Sequence, residues 1–502
     1  MRFYRSPLRR YIGTVSSRFY PVENYEPPAE TGYRLLPFRF TTLRGQRHVL
    51  TNMVGEYFVA DQEVLERFAN HTLPPASSAY AELKSRHFLE DGSSTLAREL
   101  LGLKVRTKFQ HLSSFTSLHI MVVTLRCEHS CPYCQVSRQS DDRLAYDMSS
   151  ETARKSLDLI FSSPAKALKI EFQGGEPLLN FDRIKEIVLA AELRAELEGR
   201  QVEFVIATNL AVVTDAILHF CRDHRILIST SLDGPADLHN ANRPRPGGDS
   251  YKRAVDGIER ARSFLGYDRV SALMTTTRAS LVRARDIIDE YRNRGFGRIF
   301  LRQLSPYGFA VKTKTFASYD ADEWLRFYKE GLDYIIKLNL GGERFVEQYA
   351  AVILTKMLTP FSPGYVDLMN PSGIGIKVLV YNYDGDVYAS DEARMLAEMG
   401  DQKFRLGNVH HHAYDQIIFS DALLNPIDQA FSSSVPMCSD CAFEVYCGAE
   451  PVFHYATQGN YVGLKPTSAF CARNMEIFRF LIETMDAHPE IEAVLRSWVA
   501  RS

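Results

Sequence analysis

The sequence, 502 residues long, has no apolar stretch long enough to cross a bilayer. The run HIMVVTL, His119 to Leu125, is core-strand material instead. Charge of one sign is also lacking. Lys and Arg number 59 against 61 Asp and Glu, and the formal charge of −2 offers no footprint for nucleic acid or an anionic membrane. No internal repeat or low-complexity tract stands out, so solenoids and propellers are not expected. The amino terminus carries Arg2, Arg5, Arg9, Arg10 and Arg18 with no acid before Glu23, and no apolar signal-type segment follows. Residues 1–32 are expected to be a disordered or surface-bound extension rather than an organelle presequence. With 45% hydrophobic and 24% charged residues, the chain reads as an ordinary globular protein with room for roughly two to four domains.

Cysteine is scarce outside two tight groups. Of eight cysteines only Cys221 stands alone, on a helical pattern that suits a buried thiol. Grouped cysteines in a long chain point to metal or cluster ligands and to a reducing compartment, here the cytoplasm. The first group, Cys127, Cys131 and Cys134 in TLRCEHSCPYCQVSR, has the spacing C-x3-C-x2-C directly after an apolar strand. Three thiolates can hold a [4Fe–4S] cluster and leave one iron without a protein ligand. The natural occupant of that corner is the amino and carboxylate groups of S-adenosylmethionine, whose reductive cleavage releases a 5′-deoxyadenosyl radical. A structural zinc knuckle, with His129 as a conceivable fourth ligand, is the alternative. The second group, Cys438, Cys441 and Cys447 with Cys471 downstream, fits a closed [4Fe–4S] shell or a four-cysteine zinc site.

Strand and helix patterns suggest an α/β protein in five segments. After 1–32, residues 33–106 read as a small α+β, winged-helix-like domain: LPFRF, HVLTN and EYFVA, two short helices, then HFLED. Residues 107–316 alternate apolar strands (LHIMVVTL, LKIEFQ, VEFVIAT, ILISTSL, RVSALMT, IFLRQL) with amphipathic helices. That alternation implies a parallel sheet closing into a partial (β/α)6 TIM-like barrel, whose strand C-termini form the active face. Residues 317–369 read as a helical bridge. Residues 370–490, with VLVYN, DGDVY and FRLGNV, read as a small β-rich domain carrying the second cysteine group.

Polar motifs follow the strands as that rule requires. Gly174 and Gly175 in GGEP permit close backbone approach to a ligand, with Glu176 supporting the loop. Thr208, Asn209, Ser231 and Asp233 suit ribose hydroxyls, or cap the next helices. Arg243 can grip a carboxylate or pair on the surface. Tyr307, Asp391 and Glu392 are candidate acid–base residues. His410, His411 and His412 read as a solvated turn, because adjacent residues point to opposite faces.

CEHSCPYC, EFQGGEPLLNF, IATN and SLDGP, in that order, resemble the radical S-adenosylmethionine (radical SAM) superfamily, specifically members with a SPASM/twitch extension. CQVSRQ, IEFQGGEPLLN, FVIATNLA, STSLDGPADLHNANRPRP, ALMTTT, LSPYGFA, LPFRF and LTNMVGEY resemble one branch, the His-Xaa-Ser system maturases (HxsB), from about Tyr33 onward. The resemblance implies a cytoplasmic enzyme that modifies a ribosomally made polypeptide with His-Xaa-Ser repeats. It implies beside it a second radical SAM maturase, a small accessory protein and a reductant such as flavodoxin or ferredoxin. Cys127, Cys131 and Cys134 would hold the catalytic [4Fe–4S] cluster. Gly174, Gly175 and Glu176 would contact the methionine moiety, and Ser231 and Asp233 would lie near the ribose. The amino-terminal unit resembles elements that bind precursor peptides. Cys438, Cys441, Cys447 and Cys471 match the ligands of one auxiliary cluster. The ligands of a second are absent together, with Ser372, Ser390, Asp391 and Pro451 standing near the expected positions. Formylglycine formation of the sulfatase-maturase type and a non-enzymatic zinc scaffold remain the rival readings.

Overall fold

The computed structural model describes residues 32–92 and 96–499, so the arginine-rich segment lies outside the described residues. The first unit contains β1 (Tyr33–Leu35), the antiparallel meander β2 (Phe38–Thr42), β3 (His48–Asn52) and β4 (Tyr57–Ala60), and β5 (Leu89–Asp91), which returns antiparallel to β1. Its helices Gln62–Ala69 and Ser78–Ser85 start where Asp61 and Ser77 accept the amides of Val64 and Tyr80. Leu50, Phe58, Leu65, Phe68, Leu83 and Phe88 fill a core of its own. The unit docks on the second cysteine region. Thr51 Oγ1 donates to the Ala442 carbonyl (2.5 Å), Tyr446 donates to the Gly55 carbonyl (2.7 Å) and Arg39 pairs with Glu444 (2.9 Å).

The central sheet follows from strands that are apolar on both faces. Met121, Val122 and Val123 are consecutive and fully buried, as expected of a parallel strand covered on both sides. Strands β6 (Leu118–Thr124), β7 (Ala167–Gly174), β8 (Gln201–Thr208), β9 (Leu227–Ser231) and β10 (Val270–Leu273) run parallel in the order β10-β9-β8-β7-β6. Helices such as Ser150–Ser162, Phe181–Glu198 and Ser250–Leu265 alternate with them.

The sixth expected strand, IFLRQL, behaves differently. Only β11 (Arg298–Ile299) is strand, and it pairs with β12 (Val346–Glu347) rather than with β10. Its apolar alternation reports burial, since Ile299, Leu301 and Leu304 are all in the core. Side chains stand in for a neighbouring strand: Glu347 accepts the Leu301 amide (3.2 Å) and the Tyr319 hydroxyl accepts the Leu304 amide (3.0 Å). One ladder-like bond remains, from the Thr276 amide to the Arg302 carbonyl (2.9 Å).

The sheet instead grows from its other edge. β13 (Val378–Tyr381) lies parallel beside β6, and β14 (Asp386–Tyr388) and β15 (Arg405–Asn408) continue antiparallel, giving eight strands. VLVYN, DGDVY and FRLGNV, expected as a separate β-rich region, are thus fused to the barrel sheet. An open barrel exposes the free edge of β6, and β13 covers it. Across this seam His119, fully buried and held near a pKa of about 3 by burial, lies 3.2 Å from the Tyr381 hydroxyl.

Glu347 is buried and accepts three bonds, from the Leu301 amide, the Tyr328 hydroxyl (2.7 Å) and the Ala350 amide (2.6 Å). Glu347→Leu strands these donors and is expected to lower stability by about 3 kcal/mol or more, with Glu347→Gln milder. Urea unfolding of the two variants checks this, and equal stabilities would contradict it.

Candidate functional site

The three cysteines of the first group sit on a loop that β6 delivers to the C-terminal edge of the sheet. Arg126, almost fully buried, locks the loop. Its guanidinium donates to both oxygens of Asp147 (2.8 and 2.9 Å), to Asp141 (2.9 Å) and to the Leu179 carbonyl (2.8 Å). The Ser130 amide donates to Pro244 (2.8 Å), and the Phe309 amide to the Cys134 carbonyl (2.7 Å). The HNANRP and SPYGF motifs therefore close over the loop. Gly308, at φ +61°, has no space for a Cβ, which would lie 2.4 Å from the Gln135 carbonyl.

Cys127, Cys131 and Cys134 face a cavity of about 270 Å³ at the strand ends. Gly174, Gly175, Thr208, Asn209, Ser231 and Arg243 share its wall. Tyr133, Gln135, Arg138, Met274, Thr275, Arg302 and Met395 also line it, and none of these was singled out from sequence. The polar Arg302 inside the apolar run IFLRQL was the available signal. Burial raises the Cys127 thiol and pushes Cys131 up to about 12, so a metal must displace protons to bind here.

The two glycines in the cavity wall also set the cysteine loop. A Cβ on Gly174 would stand 2.0 Å from the Thr124 carbonyl, and one on Gly175 2.3 Å from that of Arg126. Their missing side chains let the β7 end lie against the cysteine loop, an approach of backbone to backbone. Gly174, at φ +149°, adds a conformation that L-residues avoid.

Glu176 and Asp233 are fully buried and stand behind the wall. Glu176 accepts from the Leu178 amide (3.0 Å), Thr208 Oγ1 (2.7 Å) and the Asn209 amide (2.8 Å). It ties the ends of β7 and β8 together. Burial, then the Glu128 charge, pushes its carboxyl up to about 8. Asp233 accepts from the Tyr133 hydroxyl (2.6 Å) and pairs with Arg243 Nε (3.1 Å), while the Arg243 guanidinium stacks over the Tyr133 ring. Arg243 is therefore an anchored cation in the cavity wall and not a surface pair. Asn209 spans to the loop, its Nδ2 donating to Glu128 (2.7 Å). The Ser231 backbone is held in the sheet, but its hydroxyl has no hydrogen-bond partner among the described residues.

A parallel sheet, a three-cysteine loop after its first barrel strand and a cavity at the strand ends are now in place, and residues 121–277 match the profile of the radical SAM superfamily. Residues 121–277 form a radical SAM domain. The chain is accordingly an enzyme, and the superfamily match implies a [4Fe–4S] cluster with S-adenosylmethionine. A cysteine-type anaerobic sulfatase-maturating enzyme of Clostridium perfringens is 22% identical over 298 residues, 58% of this chain and 77% of that one. The structure of anSMEcpe with bound AdoMet superposes with a TM-score of 0.60 at 18% identity, covering 76% of this chain and 99% of that chain. Streptococcus suis SuiB bound to precursor peptide SuiA superposes at 0.51 with 15% identity, covering 86% and 98%. At these identities the structural likeness shows the fold.

The radical SAM loop fits a cluster better than zinc. Among the described residues, the trio of candidate donors lying within 4.8 Å of one another is Cys127, Glu128 and His129. Both His129 nitrogens are engaged, Nε2 with Ser250 (3.0 Å) and Nδ1 with Glu128 and Asn209 (3.0 Å each). Ligands of one tetrahedral zinc lie about 3.8 Å apart, whereas a cubane spreads its thiolates over separate irons. Neither cysteine group is drawn together as tightly as a single zinc would draw it.

The second group lies outside this cavity. Cys438, Cys441 and Cys447 occupy one loop, and Cys471 opens the helix Ala469–Ala487. Burial, then neighbouring thiols, pushes Cys438 up to about 12 and Cys441 up to about 11, the latter against the lowering effect of the Phe443 amide that donates to its sulfur. Of the acid–base candidates, Asp391 lines the radical SAM cavity while Tyr307 and Glu392 do not. Ser390 caps the helix Asp391–Ala397, Pro451 begins the helix Pro451–Gln458, and Ser372 is buried with an unpartnered hydroxyl. His410 meets Thr152 (3.1 Å) and His412 meets Asn408, so the three histidines do not converge.

Gly175→Ala is expected to push the cysteine loop off the sheet and lower iron incorporation at the first cluster several-fold, read by metal analysis. The Glu176 carboxyl is raised from 4.5 to about 8, so the folded state holds its proton more tightly than the unfolded chain. Its contribution is greatest below about pH 4.5 and declines toward pH 8, by at most about 1.4 kcal/mol per unit. Glu176→Gln should flatten that slope in unfolding measurements. An unchanged slope would contradict the assignment.

Proposed function

We propose that this chain is a peptide-modifying radical SAM maturase acting on a ribosomally made polypeptide with His-Xaa-Ser repeats. The carrying observation is the trio Cys127, Cys131 and Cys134 set at strand C-termini against a walled cavity. The motif series from CQVSRQ to LSPYGFA supports the branch, and relatives named for sulfatase maturation and for a precursor-peptide complex support a polypeptide substrate.

The three thiols hold the [4Fe–4S] cluster. Gly174, Gly175, Thr208, Asn209, Ser231 and Arg243 form the seat of S-adenosylmethionine. Together the bound groups supply a 5′-deoxyadenosyl radical able to take hydrogen from an unactivated C–H bond. Arg243, immobilised by Asp233 and Tyr133, presents a fixed cation suited to a carboxylate. The unpartnered Ser231 hydroxyl is free for a ribose. Leu273, Met274, Val136 and Met395 make much of the remaining wall apolar, which excludes water from a reactive radical. Glu176 and Asp233 act by positioning. Asp391 is the acid–base candidate within the wall. Tyr307, its phenol raised by burial and then by Glu450, Glu392 and Asp367, stays protonated.

Cys438, Cys441, Cys447 and Cys471 hold one auxiliary [4Fe–4S] cluster. The amino-terminal unit, docked beside it, receives the precursor. A second radical SAM maturase, an accessory protein and flavodoxin or ferredoxin complete a cytoplasmic system. Among the described residues no helix is long and apolar enough to cross a membrane. The sulfatase-maturating relatives favour formylglycine formation as a second reading, against which a single auxiliary set of cysteines counts.

Oxygen-free preparations are expected to carry about eight irons per chain and to release 5′-deoxyadenosine on reduction. Cys127→Ala and Cys438→Ala should each lose about half the iron, the former with all 5′-deoxyadenosine. Zinc in place of iron overturns the proposal. Co-expression with a His-Xaa-Ser precursor should alter it, by a loss of about two mass units or by epimerisation seen on chiral analysis. Modification of a sulfatase peptide instead would favour the second reading.

A further inference from the structure

Beside the cavity, three separate segments bring acids together. Glu392 begins the helix Asp391–Ala397 and Glu450 caps the helix Pro451–Gln458, and these helices pack on each other. The Asp367 backbone lies against Gly448, just ahead of the second helix, where a Cβ would stand 2.2 Å from the Asp367 carbonyl. Arg302 links the acids to the cavity: it lines the cavity wall, and its charge is stabilised by Tyr365, Glu392, Asp367 and Asp391. Arg473, held by Gln303 (2.6 Å), supplies a second cation toward Glu450. Arg394 is used elsewhere, on Asp391 (3.3 Å) and the Val136 carbonyl (3.3 Å). Asp367, Glu392 and Glu450 thus face Arg302 and Arg473, leaving one carboxylate without a cation.

An independent observation marks the same acids. Tyr307 is 1% exposed, its hydroxyl has no hydrogen-bond partner among the described residues, and the charges acting on it are Glu450, Glu392 and Asp367. A buried phenol without a partner among acids signals a missing ligand. We propose that the polar cluster of Tyr307, Asp367, Glu392 and Glu450 receives one cationic nitrogen side chain of the polypeptide substrate, which reaches it from the cavity past Arg302 and Asp391. This rests on the reading of the chain as a peptide maturase and adds a charge requirement to it. One cation neutralises the surplus carboxylate and gives the Tyr307 oxygen a donor. Without it the surplus is met by protons: burial first, then Asp367 and Asp391, pushes Glu392 up to about 7, and burial, then Asp367 and Glu392, raises Glu450. No three of these acids bring oxygens within 4.8 Å of one another, which disfavours a bare divalent ion.

The test uses the full chain with its clusters, S-adenosylmethionine and a capped His-Xaa-Ser hexapeptide. Matched hexapeptides carrying lysine, or neutral glutamine or norleucine, replace histidine. Binding of the cationic peptides is expected to be at least tenfold tighter than of the neutral ones, and Glu392→Gln with Glu450→Gln should erase that preference. Tyr307→Phe should weaken the cationic peptides alone. Neutral peptides binding equally well, a preference that survives the double variant, or displacement of the cationic peptide by Mn²⁺ each overturns the proposal. Metal content and circular dichroism screen for misfolding. Release of 5′-deoxyadenosine by the unaltered enzyme tests the radical reading separately, so either idea can fail alone.

Discussion

The close approach of two backbone segments governs this molecule. At the C-terminal edge of the sheet, Gly174 and Gly175 lie against the carbonyls of Thr124 and Arg126, so that the end of β7 touches the start of the cysteine loop with no side chain between. The Gly175 and Glu176 amides donate to those same carbonyls (2.9 and 2.8 Å). Cys127 is therefore placed by main-chain hydrogen bonds, which do not drift as rotamers do. Arg126 adds a buried ion pair to Asp147, a contact that is costly to break because the acid would be left uncompensated. The position of the reactive corner is thus built into the sheet.

From that contact the remaining polar groups sort into two layers. Groups in the wall (Asn209, Ser231, Arg243) meet the cavity, and groups behind it (Glu176, Asp233) hold the wall in place. Both buried acids are surrounded by protein donors, so they have little left to offer a ligand. This division of labour keeps the geometry of the seat independent of its occupant, as preorganised sites require.

The seam between β6 and β13 joins the barrel to the region carrying the second cysteine group. Without it the helix Asp391–Ala397 would not reach the cavity, and Asp391 and Met395 would not be part of the wall. The same seam brings Asp391 and Glu392 toward Arg302, whose charge they and Asp367 stabilise from segments far apart in the chain. The first unit, docked on the cysteine loop through Thr51, Arg39 and Tyr446, makes the three regions continuous.

Much was legible in one dimension. Cysteine spacing, the strand–helix alternation from Leu118 to Leu273 and the placement of polar motifs after strands are local patterns, encoded in windows shorter than a single βα unit. They announced the barrel, the active edge and the three-thiol loop. What they did not contain is direction. Whether Glu176 faces a ligand or Thr208, whether IFLRQL joins the sheet or leans on Glu347 and Tyr319, and whether VLVY forms its own sheet or covers β6 depend on partners in other segments of the chain. Burial and charge balance are properties of the assembled packing, so only the tertiary structure could decide them.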